Sequence, residues 1–236
     1  MSNEKLRGYR KPFWGTQPDY IFASYASTAK RGITQSPIAL PPTLSEITGP
    51  RMSLPTLGAH AADMTAGHQG EPLGERIIVS GRVLDENGRP VRNTLLEVWQ
   101  CNAAGRYQHK RDVHDAPLDP NFHGQAQVVT DEHGRYRFKT IKPGAYPWRN
   151  HYNAWRPAHI HFSVFGEGFA QRLITQMYFP GDPLLAVDPI FNCVPDEAAR
   201  YRLVSSFDWE TTESEYALGY RFDIVLRGRH ESPWEI

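Results

Sequence analysis

Cysteine is nearly absent: Cys101 and Cys193 are the only two in 236 residues. Two thiols so far apart support neither a disulfide framework nor a cysteine-based zinc site, and both read as buried or incidental. A surplus of charge is missing as well, since 26 Lys and Arg face 26 Asp and Glu for a net charge of zero. Nucleic-acid binding and adhesion to an anionic membrane both need clustered, unbalanced cations, so both are disfavoured. No apolar run approaches the roughly 18 residues of a transmembrane helix, and the opening MSNEKLRGYRKPFW has no apolar signal-peptide core. A cytoplasmic location is expected. Helical periodicity is scarce too: only PDEAARYRLVSSF, residues 195–207, has an acidic start followed by apolar residues at helical spacing.

Turn formers are plentiful, with 19 Gly and 19 Pro. Pro37, Pro41, Pro42, Pro50 and Pro55 interrupt any regular period in residues 1–72, which read as an extended arm suited to wrapping over another surface. Residues 73–236 read as one domain of short strands. RIIVSGRVL, NTLLEVWQ, QVVT, RYRFKT, AHIHFSVF, LITQMYF and RFDIVL are rich in β-branched and aromatic residues. DENG and DEHG between successive runs predict two hairpins. Seven or so strands with closely spaced turns and little helix predict an all-β fold, an antiparallel β-sandwich.

One strand carries a chemical signal. Alternation along AHIHFSV puts His159, His161 and Ser163 on one face and Ile160, Phe162 and Val164 on the other, so the apolar face goes to the core. The imidazoles, roughly 6–7 Å apart at Cβ from the strand rise, can converge on one metal ion. Two hydrogen-bonded surface histidines would give the same pattern. Tyr107 in NAAGRYQHK and Tyr146 in KPGAYPWRN stand in turn-rich loops, where an ordinary half-buried tyrosine is also common. Arg156, just before the His pair, reads equally as a surface charge.

Taken together, GERIIVSGRV, NTLLEVWQCNAAGRYQHK, APLDPNF, TIKPGAYPWRN, WRPAHIHF, LITQMYF followed by GDP, and YRFDIVLRG resemble the intradiol ring-cleaving dioxygenases, above all the iron-bearing β subunit of those that cleave protocatechuate. The resemblance implies ferric iron held by Tyr107, Tyr146, His159 and His161 with a solvent hydroxide, one iron per chain. It implies a catechol and O2 as substrates, with Tyr146 leaving the metal to accept a catechol proton and Arg156 stabilising negative charge on the ring. Trp148, Gln176 and Ile190 match residues of the pocket, and Tyr20 in PDY matches an arm tyrosine that holds the substrate carboxylate. A homologous α subunit without iron ligands is the implied partner in a hetero-oligomer.

The implied donor set makes chemical sense, because hard phenolate oxygens suit a hard ferric ion, whereas ferrous oxygenases use two His and one carboxylate. A cupin would add Glu after a gap of three or four residues beyond His-x-His, where this chain has Phe165 and Gly166. Departures from the family pattern include Cys101, His123, Ala145 and the closing SPWEI, none expected to touch a ligand. They leave open another 4-substituted catechol, such as 4-sulfocatechol, in place of protocatechuate. The first predicted hairpin alone also resembles transthyretin-like binding modules, a non-enzymatic alternative that the tyrosines and histidines argue against.

Overall fold

The computed structural model describes residues 15–35, 38, 43–44, 55–149, 152, 155–166 and 172–235. Four of the arm's prolines, at positions 37, 41, 42 and 50, lie outside the described residues. Eleven strands are present among those described: β1 Arg76–Leu84, β2 Leu95–Trp99, β3 Gln125–Val129, β4 Arg135–Ile141, β5 Tyr146–Pro147, β6 Trp155–Arg156, β7 His159–Phe165, β8 Arg172–Tyr178, β9 Ser206–Phe207, β10 Leu218–Arg221 and β11 Ile224–Val225. One sheet is built on β1, which pairs with β4 on one side and with β10 and β11 on the other, β9 lying outside β10. The second runs β3-β2-β7-β8, and β5 and β6 form a separate two-stranded ribbon.

The two sheets meet through the alternating apolar residues of their inner faces, which makes the architecture the expected β-sandwich. Ile77, Val79 and Val83 of β1 and Tyr136 and Phe138 of β4 share one core with Leu96, Val98, Ile160, Phe162, Val164 and Met177 of the other sheet. Phe162 lies at its centre, 5.9 Å from the rings of Tyr136 and Phe138 and 5.3 Å from that of Phe222. Cys101 and Cys193 are free and buried, as their scarcity predicted, and burial pushes each thiol up to about 12.

Three local readings need correction. DENG and DEHG do form tight turns: Asp85 and Asp131 each accept two backbone N–H groups through Oδ1, at Asn87 and Arg89 and at His133 and Arg135. Neither turn joins strands of one sheet, because β1 pairs with β4 and β2 with β3. A turn sequence sets a chain reversal, and burial of the apolar faces then sends the two strands to opposite sheets. RFDIVL is split: the Asp223 carboxylate takes the Arg82 N–H, at 2.9 Å, where a ladder carbonyl would stand. The β1–β10 and β1–β11 pairings on either side of this break are parallel, within an otherwise antiparallel sandwich.

The helix expected over 195–207 covers only Glu197–Tyr201, capped by Asp196 Oδ1 on Ala199 N. It stops there because the following chain docks on β8, Leu203 O accepting from Tyr178 N and Ser205 N donating to Tyr178 O. Two further one-turn helices, Thr28–Arg31 and Pro189–Asn192, fall in stretches read as irregular. No helix among the described residues is long and apolar enough to cross a membrane.

Both faces of β7 are buried apart from its last residue. The inner face meets the core, and on the outer face His159 meets Arg156, His161 meets Trp99 and Glu235, and Ser163 meets Arg172. Phe162→Ala should cost about 3–5 kcal/mol, the range for emptying a buried aromatic site, measured by urea denaturation of the metal-free protein. A loss below 1 kcal/mol would show that Phe162 is not central to the core.

Candidate metal centre

The register of three strands assembles the outer face. His161 stands opposite Trp99 on β2 and Gln176 on β8, and His159 opposite Tyr178. The two imidazole rings lie 4.8 Å apart, and that of His161 stacks on Trp99 at 4.8 Å and 4°. His159 Nδ1 lies 2.7 Å from the Pro157 carbonyl and His161 Nδ1 3.0 Å from a Glu235 carboxylate oxygen. Both partners only accept, so each Nδ1 carries a proton, and the Nε2 atoms point the other way, that of His159 toward Arg156 Nη1 and that of His161 toward Tyr107 OH. Burial, with Arg156 and His161 behind it, pushes the His159 imidazole well below its ordinary value and keeps it neutral.

Two loops stitched together deliver the phenols. Asn102 folds the first back on itself, its Oδ1 accepting from Ala104 N and Arg106 N, while its backbone carbonyl accepts from Gly105 N and from Gly144 N of the second loop. Gly105, at φ 79°, allows this approach: a Cβ there would stand 2.3 Å from the Ala145 carbonyl oxygen. The rings of Tyr107 and Tyr146 are 5.4 Å apart, with Tyr107 OH 3.2 Å from His161 Nε2 and the Tyr146 ring 5.5 Å from that of His159. Burial holds both phenols above their ordinary value, Tyr107 the further, while the Arg156 guanidinium tempers Tyr146.

Arg156 is not a surface charge. It is 2% exposed and pairs bidentately with Asp188, Nε to Oδ1 at 3.1 Å and Nη2 to Oδ2 at 3.0 Å. Nη2 also reaches Gln176 Oε1 and Tyr178 OH, and Nη1 lies 3.1 Å from His159 Nε2. Burial alone would lower its pKa, but Asp188 and the phenols of Tyr178 and Tyr146 raise it well above its usual value. Because Oε1 of Gln176 faces donors, its Nε2 must be the remaining amide atom, and it is buried without a hydrogen bond among the described residues.

The structure thus brings Tyr107, Tyr146, His159, His161, Arg156 and Gln176 together. Trp148 joins them with its ring under the guanidinium, 5.5 Å from it. Ile190 is buried in the helix that Asp188 caps. Tyr20, 40% exposed, stands apart in a groove with Arg31, Ile33, Trp234 and Glu235. The expectation that SPWEI touches no ligand is overturned by Glu235, which meets His161. Glu235, Asp188, Tyr178 and Trp99 were all missed as site residues. Asp188 had a local signal only as the cap preceding Pro189, and Glu235 had none, its partner lying 74 positions away.

The donors fit a hard cation. Two imidazoles and two phenols converge here, a set suited to ferric iron. A cavity of about 400 Å³ opens onto Tyr107, Tyr146 and His161, with His109, Arg111 and His123 among its other lining residues.

Comparison with known proteins agrees. The family described as "Dioxygenase" matches residues 47–228, and "Protocatechuate 3,4-dioxygenase beta subunit N terminal" matches residues 9–43. The chain is 62% identical to the protocatechuate 3,4-dioxygenase beta chain of Burkholderia cepacia, over 94% of this chain and 95% of that one. It is 30% identical to the protocatechuate 3,4-dioxygenase alpha chain of Pseudomonas putida, over 82% and 95% respectively. The solved catechol 1,2-dioxygenase of Acinetobacter sp. ADP1 superposes with a TM-score of 0.52 at 28% identity, over 75% of this chain and 62% of that one.

Asp188→Ala should cost about 3–5 kcal/mol in urea denaturation, because it leaves a buried guanidinium without its counter-charge. Replacing Arg156 and Asp188 together by Leu should recover part of that loss. If the double variant is as unstable as the sum of the two single ones, the pair does not act as a unit.

Proposed function

The chain belongs to the intradiol dioxygenase family, and from that premise we propose that it is the iron-bearing β subunit of a protocatechuate 3,4-dioxygenase. The reaction splits the bond between the two hydroxylated ring carbons of protocatechuate and adds both atoms of O2, giving 3-carboxy-cis,cis-muconate. The observation that carries this reading is the cluster of two imidazoles, each held through Nδ1 by an acceptor, with two buried phenols beside them and no carboxylate among the four. Its substrate rests on the 62% identity to a protocatechuate 3,4-dioxygenase beta chain.

Tyr107, Tyr146, His159 and His161 would hold one Fe(III) per chain. Bound there, the ion would supply Lewis acidity and a template for the catechol oxygens. Burial has raised both phenols, so they need a strong neighbouring cation to ionise. Their anchoring differs. The Tyr107 loop is closed by Asn102 and by Asp112, whose carboxylate accepts the Tyr107 N–H at 2.7 Å. Tyr146 sits on a two-residue strand paired only with Trp155–Arg156. Tyr146 is therefore the phenolate free to swing out and take a catechol proton on its Oη.

Arg156, locked by Asp188, Gln176 and Tyr178, presents a fixed positive charge for the negative charge that develops on the ring. Trp148, under the Arg156 guanidinium, and the buried Ile190 would wall the pocket, and Gln176 would offer it the Nε2 donor. Tyr20 lies in the groove where the substrate carboxylate would be held. Ile21 and Ile33, near it, are 44% and 45% exposed, a rim suited to cover by a homologous α subunit. The 30% identity to a protocatechuate 3,4-dioxygenase alpha chain supports such a partner of similar fold.

The test is metal analysis and visible absorbance of the purified protein, followed by a panel of 4-substituted catechols that includes protocatechuate and 4-sulfocatechol. Phenolate-to-iron charge transfer should colour the protein, and protocatechuate should give the highest kcat/KM. A colourless, iron-free, inactive protein would refute the reading. His159→Ala and His161→Ala should lower iron content and colour together, each removing one of the two imidazoles that meet the phenols.

Tyr146→Phe should keep iron through the other three ligands, which commonly suffice at a catalytic metal. It should form the anaerobic substrate complex slowly in stopped-flow absorbance. Complex formation as fast as in the parent would exclude Tyr146 as the departing base.

A further inference from the structure

The two histidines differ in what holds them. His159 donates Nδ1–H to a neutral backbone carbonyl, whereas His161 donates to a carboxylate on the last described residue, Glu235. Both side chains of this second pair are largely shielded, 10% and 21% exposed.

Glu235 does not reach the site by chance of a loose tail. Ser232 N donates to Val225 O and Thr175 Oγ1 to Pro233 O. Trp234 N donates to Gln17 Oε1, while Gln17 Nε2 donates back to Ser232 O. Glu235 N itself donates to Ile174 O on β8. The backbone on both sides of the sheet edge is thus pinned without help from the Glu235 carboxylate. That leaves the side chain to the imidazole of His161, at 3.0 Å, and to the Gln176 side chain beside it.

We infer that Glu235 is a positioning residue for the metal site: its carboxylate fixes the tautomer and ring orientation of His161 and strengthens Nε2 as a donor to the metal. The inference rests on the iron reading above. The physical reason is general: a carboxylate that accepts the distal N–H of a metal-bound imidazole pulls that proton, pushes electron density toward the other nitrogen and stops the ring rotating. Trp99, stacked flat on His161, already limits tilting. Glu235 adds a restraint on in-plane rotation of the ring, and a negative charge, which a stacking partner cannot supply.

The experiment compares the parent with Glu235→Ala and Glu235→Gln. Metal-free samples are first checked for equal thermal midpoints, then Fe(III) affinity is measured by chelator competition and the phenolate charge-transfer band by absorbance. Glu235→Ala should bind iron roughly 10–100-fold more weakly, the usual cost of losing such a partner, with a displaced band. Glu235→Gln keeps an acceptor oxygen and loses the charge, so it should lose affinity several-fold and still displace the band. Affinity within twofold of the parent and an unmoved band in a folded variant would overturn the inference, and Glu235→Gln decides it if Glu235→Ala fails to fold. A parent that binds no iron would instead overturn the iron reading.

Discussion

A β-strand turns successive side chains to opposite faces, and the site depends on that constraint at β7. Ile160, Phe162 and Val164 bury themselves in the sandwich core, so His159 and His161 must share the outer face. The same pleat and register then place Trp99, Gln176 and Tyr178 around them. Core packing and ligand placement are consequently one property of one strand. A one-residue slip would lose both, since it would turn the histidines into the core and the phenylalanine out.

The second layer of the design is electrostatic. A guanidinium buried beside the neutral His159 imidazole would be costly alone, and Asp188 neutralises it in a bidentate pair. Asp188 also caps the helix Pro189–Asn192, in which Ile190 is buried. One carboxylate thereby fixes the buried guanidinium and starts a helix. Tyr178 and Gln176 complete the network, so the cation cannot rotate away from the site.

Loops supply what the strands cannot. The phenols project from segments joined through Asn102 and Gly144, and the close approach at Gly105 makes them neighbours. Tyr107 has its own N–H tied to Asp112, whereas Tyr146 lies on a two-residue ribbon strand. Under the proposed ligand assignment, this difference in restraint separates a ligand that stays from one that leaves, without any difference in side-chain chemistry.

Period-two alternation and turn composition were enough to read the sandwich, the core face of β7 and the shared face of the histidines from the sequence by itself. These are local properties, set by the pleat and by which residues water rejects. The resemblance carried by GRY, YPWRN and RPAHIHF named the two tyrosines and Arg156, which spacing alone left as ordinary residues. Only the tertiary structure decided which strands pair, and so sent the DENG and DEHG turns between sheets rather than within one. It alone made Arg156 a buried ion pair with a carboxylate 32 residues away, and put Glu235 on His161 from the far end of the chain. Such contacts depend on burial that forms after the chain has collapsed, and a hydrogen bond between residues distant in sequence leaves no periodicity by which to find it.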